Sequence, residues 1–71
     1  MFANVEVGTK VEYMLPGPDD DYLVVCNVIK NSGDGLITIR LIDDFVSPDG
    51  KWAQSGGTEY DVTGSDIYPI K

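Results

Sequence analysis

An apolar run from Tyr22 to Ile29 passes through a Gly33-Asp34-Gly35 turn into a second strand-like run, Leu36 to Ile42. Two β-branched segments separated by a tight glycine turn read as an antiparallel hairpin. With only 71 residues, the chain must build its whole core around that hairpin. A chain of this size buries only about 60% of the surface its unfolded form exposes, so one domain, residues 1–71, is expected, with a thin margin of stability. The single cysteine, Cys26, cannot close an intrachain disulfide, and without histidine there is no Cys/His zinc site to staple the fold. Stability therefore has to come from packing, helped at most by a partner.

The strands are legible from their periodicity. Residues 8–14 place Thr9, Val11 and Tyr13 on one face and Lys10 and Glu12 on the other, the period-two signature of a half-buried strand. Leu15 to Asp21 contains Pro16, Gly17, Pro18 and three consecutive aspartates, which breaks pairing and predicts a solvated loop. Strand two follows from Tyr22 to Asn31 and is apolar on both faces at first, as in a long strand that bends and serves two sides of a small barrel. After the Ser32–Gly35 turn, strand three alternates with Ile37, Ile39 and Leu41 inward and Thr38 and Arg40 outward. Residues 43–57 are long for a structureless connection, so the Pro48-Asp49-Gly50 turn is expected to divide them into a small excursion with Phe45 and Trp52 on its limbs, for which a short hairpin extension is one form. Thr58 to Val62 reads as strand four, with Tyr60 and Val62 inward and Glu59 and Asp61 outward; Thr63–Asp66 is a tight turn, and Ile67–Ile70 is a terminal strand. Pro69 suits an edge, since it cannot donate to a ladder. The expected fold is all-β: a small five-stranded barrel with a long strand 3–4 loop and one tight turn before the last strand.

Charge narrows the partners. Twelve acidic residues against five basic ones give a net charge of −7, which repels phosphate backbones and anionic membrane surfaces. Direct nucleic-acid binding is not expected. The same field attracts cations, basic peptides or the basic groove of a protein that handles DNA or RNA. No apolar stretch approaches the roughly 20 residues that span a bilayer, and no basic region followed by an apolar core marks an export signal, so a reducing, cytoplasmic compartment is the expectation.

This order of elements resembles the SH3-like barrel superfamily, and within it the Tudor and KOW-like small barrels. The residues carrying the likeness are Gly8-Thr9-Lys10-Val11, Val28-Ile29-Lys30-Asn31 running into Gly33-Asp34-Gly35, Ile37-Thr38-Ile39-Arg40-Leu41, Glu59-Tyr60-Asp61-Val62, and Asp66-Ile67-Tyr68-Pro69-Ile70. The resemblance implies the barrel and hosts many functions. Residues 43–57 depart from it in length, and the first loop carries Pro-Gly-Pro-Asp-Asp-Asp where ligand-binding relatives often place an aromatic side chain. A second likeness, to the SH3-like subunit IV of the photosystem I reaction centre, rests on Gly8-Thr9-Lys10-Val11 and Ser55-Gly56-Gly57; that family's Asn-Asn-Phe-Ala segment is absent and no function is carried over.

Nothing here forms a catalytic signature. The commonest general base is missing with histidine, and Cys26 lies in the most apolar strand, where a small buried hydrophobe is expected rather than a reactive thiol. No enzyme activity and no cofactor are expected. Asp19, Asp20 and Asp21, with Asp43 and Asp44, offer hard oxygen ligands, but their spacing does not match a calcium loop, and solvated charge is the simpler reading. The aromatic residues are more suggestive. Tyr22 follows three aspartates and Phe45 follows two, and aromatic rings beside carboxylates can hold a lysine, methyl-lysine or arginine head. If the first loop lies beside the exit of strand three, these residues form an acidic aromatic groove. Against this, Tyr13, Tyr60 and Tyr22 could simply complete the core. Trp52, in a polar, glycine-flanked loop, is the best candidate for an exposed interface anchor. The leading expectation is a non-catalytic module that engages a basic protein surface or peptide through Asp19, Asp20, Asp21, Tyr22, Asp43, Asp44, Phe45 and Trp52. Two alternatives stay open: a small acidic inhibitor that imitates nucleic acid toward a DNA- or RNA-handling enzyme, as some phage proteins do, and a structural subunit that oligomerises through the edge strand ending at Lys71.

Overall fold

The computed structural model describes residues 5–70. It contains β1 (Lys10–Pro16), β2 (Asp21–Asn31), β3 (Leu36–Leu41), β4 (Phe45–Val46), β5 (Ala53–Gln54), β6 (Glu59–Thr63), a 3-10 turn (Gly64–Asp66) and β7 (Ile67–Pro69). Five of these strands form one antiparallel sheet in the order β6-β3-β2-β1-β7, and β4 and β5 pair as a separate hairpin. Lys71, where the oligomer-forming edge was expected to end, lies outside the described residues. No helix among them is long and apolar enough to cross a membrane.

The alternating pattern places the core as expected. Ile37, Ile39 and Leu41 of β3 are buried with Val11 and Leu15 of β1, Val24, Cys26 and Val28 of β2, Val62 of β6 and Ile67 of β7. Tyr13 and Tyr60 are half-buried against this cluster. On the opposite face of β3, Thr38 donates to Asp61 at 2.7 Å and Arg40 pairs with Glu59 at 2.8 Å. Each of these residues stands directly across the ladder from its partner. Burial pushes the Cys26 thiol up to about 11, which leaves it protonated and unreactive at neutral pH.

Two features bend the sheet. β2 carries a bulge at Ile29, where the register with β3 shifts between Val28 and Lys30, and a bulge increases local twist and curvature. More decisive is the connection between β6 and β7. These strands occupy opposite edges of the sheet, which in a flat sheet of five strands would stand about 19 Å apart. Only Gly64–Asp66 joins them, and the four steps from Thr63 to Ile67 reach at most about 15 Å. The sheet must curl toward itself. The curl is visible in the Tyr13 and Tyr60 rings, which belong to strands two positions further apart than neighbours yet lie 5.5 Å apart. Asp66 secures the turn by accepting from the Thr63 N–H at 3.0 Å and the Thr63 hydroxyl at 3.1 Å. Among the described residues no ladder joins β6 to β7, so the sheet is curled but not closed, and the closed barrel expected from the sequence is not formed by hydrogen bonds.

The solvated loop predicted over Leu15–Asp21 is shorter than expected. β1 continues to Pro16, which stands opposite Asp21, and Leu15 is a core residue. The reason is a four-residue turn in which the Gly17 N–H donates to the Asp20 carbonyl at 2.8 Å, so only residues 17–20 leave the ladder. At the next turn the Gly33-Asp34-Gly35 reading holds: Gly33 and Gly35 have φ of 79° and 99°, and Asp34 caps the Leu36 N–H at 3.1 Å.

Ile39 contributes a fully buried side chain at the centre of the sheet. Ile39→Ala is expected to cost about 2–5 kcal/mol, against a total of about 5 kcal/mol for so small a domain. Urea denaturation should therefore find the variant with a transition midpoint far below that of wild type, since at most about 3 kcal/mol of stability is left; a midpoint close to wild type would contradict the burial of Ile39.

Candidate acidic aromatic site

The site is built by two excursions from the sheet. The first is the β4–β5 hairpin. Its tip is a turn in which the Gly50 N–H donates to the Ser47 carbonyl at 2.9 Å, with Gly50 at a φ of 74° that suits glycine. Ser47 is buried and organises the tip: its hydroxyl donates to Asp49 Oδ1 at 2.6 Å and accepts from the Trp52 N–H at 3.1 Å. Its N–H in turn donates to the Trp52 carbonyl at 2.8 Å. The Lys51 N–H donates to the same Asp49 oxygen at 3.0 Å. The Ser47 hydroxyl, and secondarily the Lys51 N–H, hold the Asp49 carboxyl below its ordinary value.

The neck of this excursion is tied equally firmly. Leu41 donates to the Thr58 carbonyl at 2.9 Å and accepts from the Gly57 N–H at 2.7 Å, while the Gly56 N–H donates to Asp44 Oδ1 at 2.6 Å. A Cβ on Gly56 would lie 2.9 Å from the Ile42 carbonyl oxygen, so glycine is what lets the two limbs come this close. Asp44 is thus a structural cap, where the sequence offered it as a solvated or partner-facing charge.

The second excursion is the Gly17–Asp20 turn, which directs Tyr22. A Cβ on Gly17 would stand 2.9 Å from Tyr22 Cε2 and 2.7 Å from the Asp20 carbonyl oxygen. The Tyr22 ring therefore lies over bare glycine backbone. Its far side meets the hairpin: ring centroids are 5.0 Å from Tyr22 to Phe45, 6.0 Å from Tyr22 to Trp52 and 5.9 Å from Phe45 to Trp52. The first loop does lie beside the exit of β3, the condition on which Tyr22 and Phe45 were expected to share a groove, and Trp52 joins them.

The triad differs from an open cage. At these separations the rings are in mutual van der Waals contact, which leaves no gap between them for an ammonium or guanidinium head. A cation can approach only their outward surfaces, within about 6 Å of a ring centre. All three side chains are half-buried, and Phe45 and Trp52 pack against the core. Trp52, expected as an exposed anchor, is held inward because its main chain is bonded on both sides to buried Ser47.

The carboxylates sort into two groups. Burial raises the Tyr22 hydroxyl above its ordinary value, and the charges of Asp20, Asp49 and Asp19 raise it further, in that order. Asp49, which the sequence offers only as a turn residue, is thus part of the field around the triad. Asp21 is exposed at the start of β2, opposite Pro16. Asp43 and Asp44 are exposed elsewhere: they line a groove of about 180 Å³ shared with Leu23, Val25, Leu41 and Phe45. Among the described residues no three acidic or cysteine side chains gather as a metal site, so Asp19–Asp21 and Asp43–Asp44 are not brought onto one ion.

Gly17→Ala should push the Tyr22 ring off its seat, and the near-ultraviolet circular dichroism of the triad should weaken with far less change in the strand signal; an unaltered aromatic spectrum would contradict the packing described. Because the Asp49 carboxyl is held below its ordinary value of 3.8 when folded, its bonds to Ser47 and Lys51 stabilise the hairpin fully above that value and are lost as pH falls through the folded value. Trp52 emission should therefore change on acidification below about pH 4, and this step should be absent in Asp49→Asn.

Compared with protein families, with curated proteins and with solved structures, the chain matches none.

Proposed function

We propose that this protein is a non-catalytic binding module that engages a basic protein surface or peptide, on a scaffold of the SH3-like type. The observation that carries this reading is the convergence of Tyr22, Phe45 and Trp52 into one half-exposed aromatic surface with carboxylates on two sides, Asp19, Asp20 and Asp49 at Tyr22, and Asp43 and Asp44 beside Phe45. The order of strands β7-β1-β2-β3-β6 and the short 3-10 turn before β7 support the scaffold, since both belong to the SH3-like pattern that the sequence resembles.

Division of labour follows from the geometry. The net charge of −7 steers a basic partner toward the protein, with Asp19 and Asp20 in the turn between β1 and β2 and Asp21 exposed at the start of β2. The outward ring surfaces then supply apolar contact for the stems of lysine or arginine, and cation–π attraction for their heads. Because the rings fill the space between themselves, the module favours a cation laid across the surface over one swallowed by a pocket.

Titration with a lysine- and arginine-rich peptide, followed by Trp52 emission, should show binding where the Debye length is about 30 Å and its collapse where it is about 3 Å. The combined exposed variant Asp19→Asn/Asp20→Asn should bind about threefold to tenfold more weakly at low salt with unchanged folding. Affinity that is indifferent both to salt and to this variant would reject the reading.

A further inference from the structure

The 11-residue β2 is covered along one side only over part of its length. Val28 exchanges main-chain hydrogen bonds with Gly8 and Thr9 on the β1 side of the strand. Successive residues in an antiparallel ladder alternate the side toward which their N–H and C=O point, so Cys26, Val24 and Tyr22 also face β1, while Val25 and Leu23 face the other way. On that other side β3 supplies partners only up to one last bond, from the Ile42 N–H to the Val25 carbonyl at 3.3 Å. The chain then turns off at Asp43 toward the β4–β5 hairpin. Among the described residues no hydrogen bond reaches the Val25 N–H or the Leu23 N–H and C=O from that side.

The groove lies at this place. It is lined by Leu23, Val25, Leu41, Asp43, Asp44 and Phe45, so unpaired main chain, aliphatic side chains and two carboxylates border one opening. Its outer rim is apolar well beyond what a solvated strand needs: Leu23 is 51% exposed and Val25 41%. Neither face alternation nor folding requires aliphatic residues there, because the inward residues of the same strand already fill the core.

We propose that the uncovered edge of β2 at Leu23–Val25 receives an extended segment of a partner protein as an added strand, and that this segment carries lysine or arginine alternating with aliphatic residues. Main-chain bonds to Leu23 and Val25 give the register, the aliphatic side chains lie beside Leu23 and Val25, and the basic ones reach Asp43 and Asp44. Charge chooses the occupant: a second copy would bring another molecule of charge −7 against an acidic rim, and a nucleic acid would bring phosphates against it. The inference rests on the reading that the partner is basic, and adds the edge and the conformation that recognise it.

The test uses the whole protein and a synthetic heptapeptide of alternating lysine and valine, with two analogues N-methylated along one or the other edge of the extended peptide. Expected are binding of the parent peptide at low salt, slowed amide exchange at Leu23 and Val25 on binding, and loss of about tenfold in affinity for one methylated analogue but not the other. Equal binding of all three peptides without protection at Leu23 and Val25 would overturn strand addition and leave the basic-partner reading intact. Failure of every peptide to bind at low salt would overturn both. Protection at Leu23 and Val25 that rises with protein concentration in the absence of peptide would assign the edge to a second copy and also overturn the proposal.

Discussion

Joining opposite edges of a five-stranded sheet through the three residues Gly64–Asp66 imposes a curl that the rest of the molecule then exploits. A flat sheet would leave its apolar face open to water, whereas the curled one folds that face inward around Ile37, Ile39, Val11 and Val28. The same curl sets Tyr13 against Tyr60 across the trough. Asp66 contributes two hydrogen bonds to hold the connection, which places a carboxylate in a purely structural role at the point where the fold is most constrained.

The site grows from the end of β3: past the Ile42–Val25 bond the chain leaves the sheet at Asp43, makes the β4–β5 hairpin and returns at Thr58. Phe45 and Trp52 pack back onto the core, and Tyr22, held over Gly17, completes the contact from the other excursion. The aromatic surface and the uncovered stretch of β2 are therefore two results of one geometric event, the departure of the chain from the sheet.

Charge in this protein has two uses that composition alone cannot separate. Glu59, Asp61, Asp66, Asp34, Asp44 and Asp49 each hold a hydrogen bond within the fold. Such contacts add little individually where they are exposed, yet they cap turns and fix cross-strand register. Asp19, Asp20 and Asp49 act on the Tyr22 hydroxyl, so Asp49 serves both uses at once, holding the hairpin tip and shaping the field at its flank.

Strand positions, inward faces and turns were readable from the residues because they depend on local rules: period-two alternation in Leu36–Leu41, glycines at φ of 79° and 99° around Asp34, and a Pro-Asp-Gly tip between Phe45 and Trp52. Convergence of Tyr22 with Phe45 and Trp52 was legible only as a condition on where the first loop lies. Three things were beyond local reading. Leu15 and Pro16 join the ladder because a bond between Gly17 and Asp20 shortens the loop, Trp52 turns inward because buried Ser47 grips it, and Asp44 caps Gly56 twelve residues away. By itself, then, the sequence determined an acidic, all-β chain with most of its core residues and turns in place, since alternation and glycine act over a few neighbouring residues. Only the tertiary structure decided that the sheet curls without closing, that the rings fill their own gap, and that β2 keeps an uncovered edge, because each depends on distances between segments far apart in the chain.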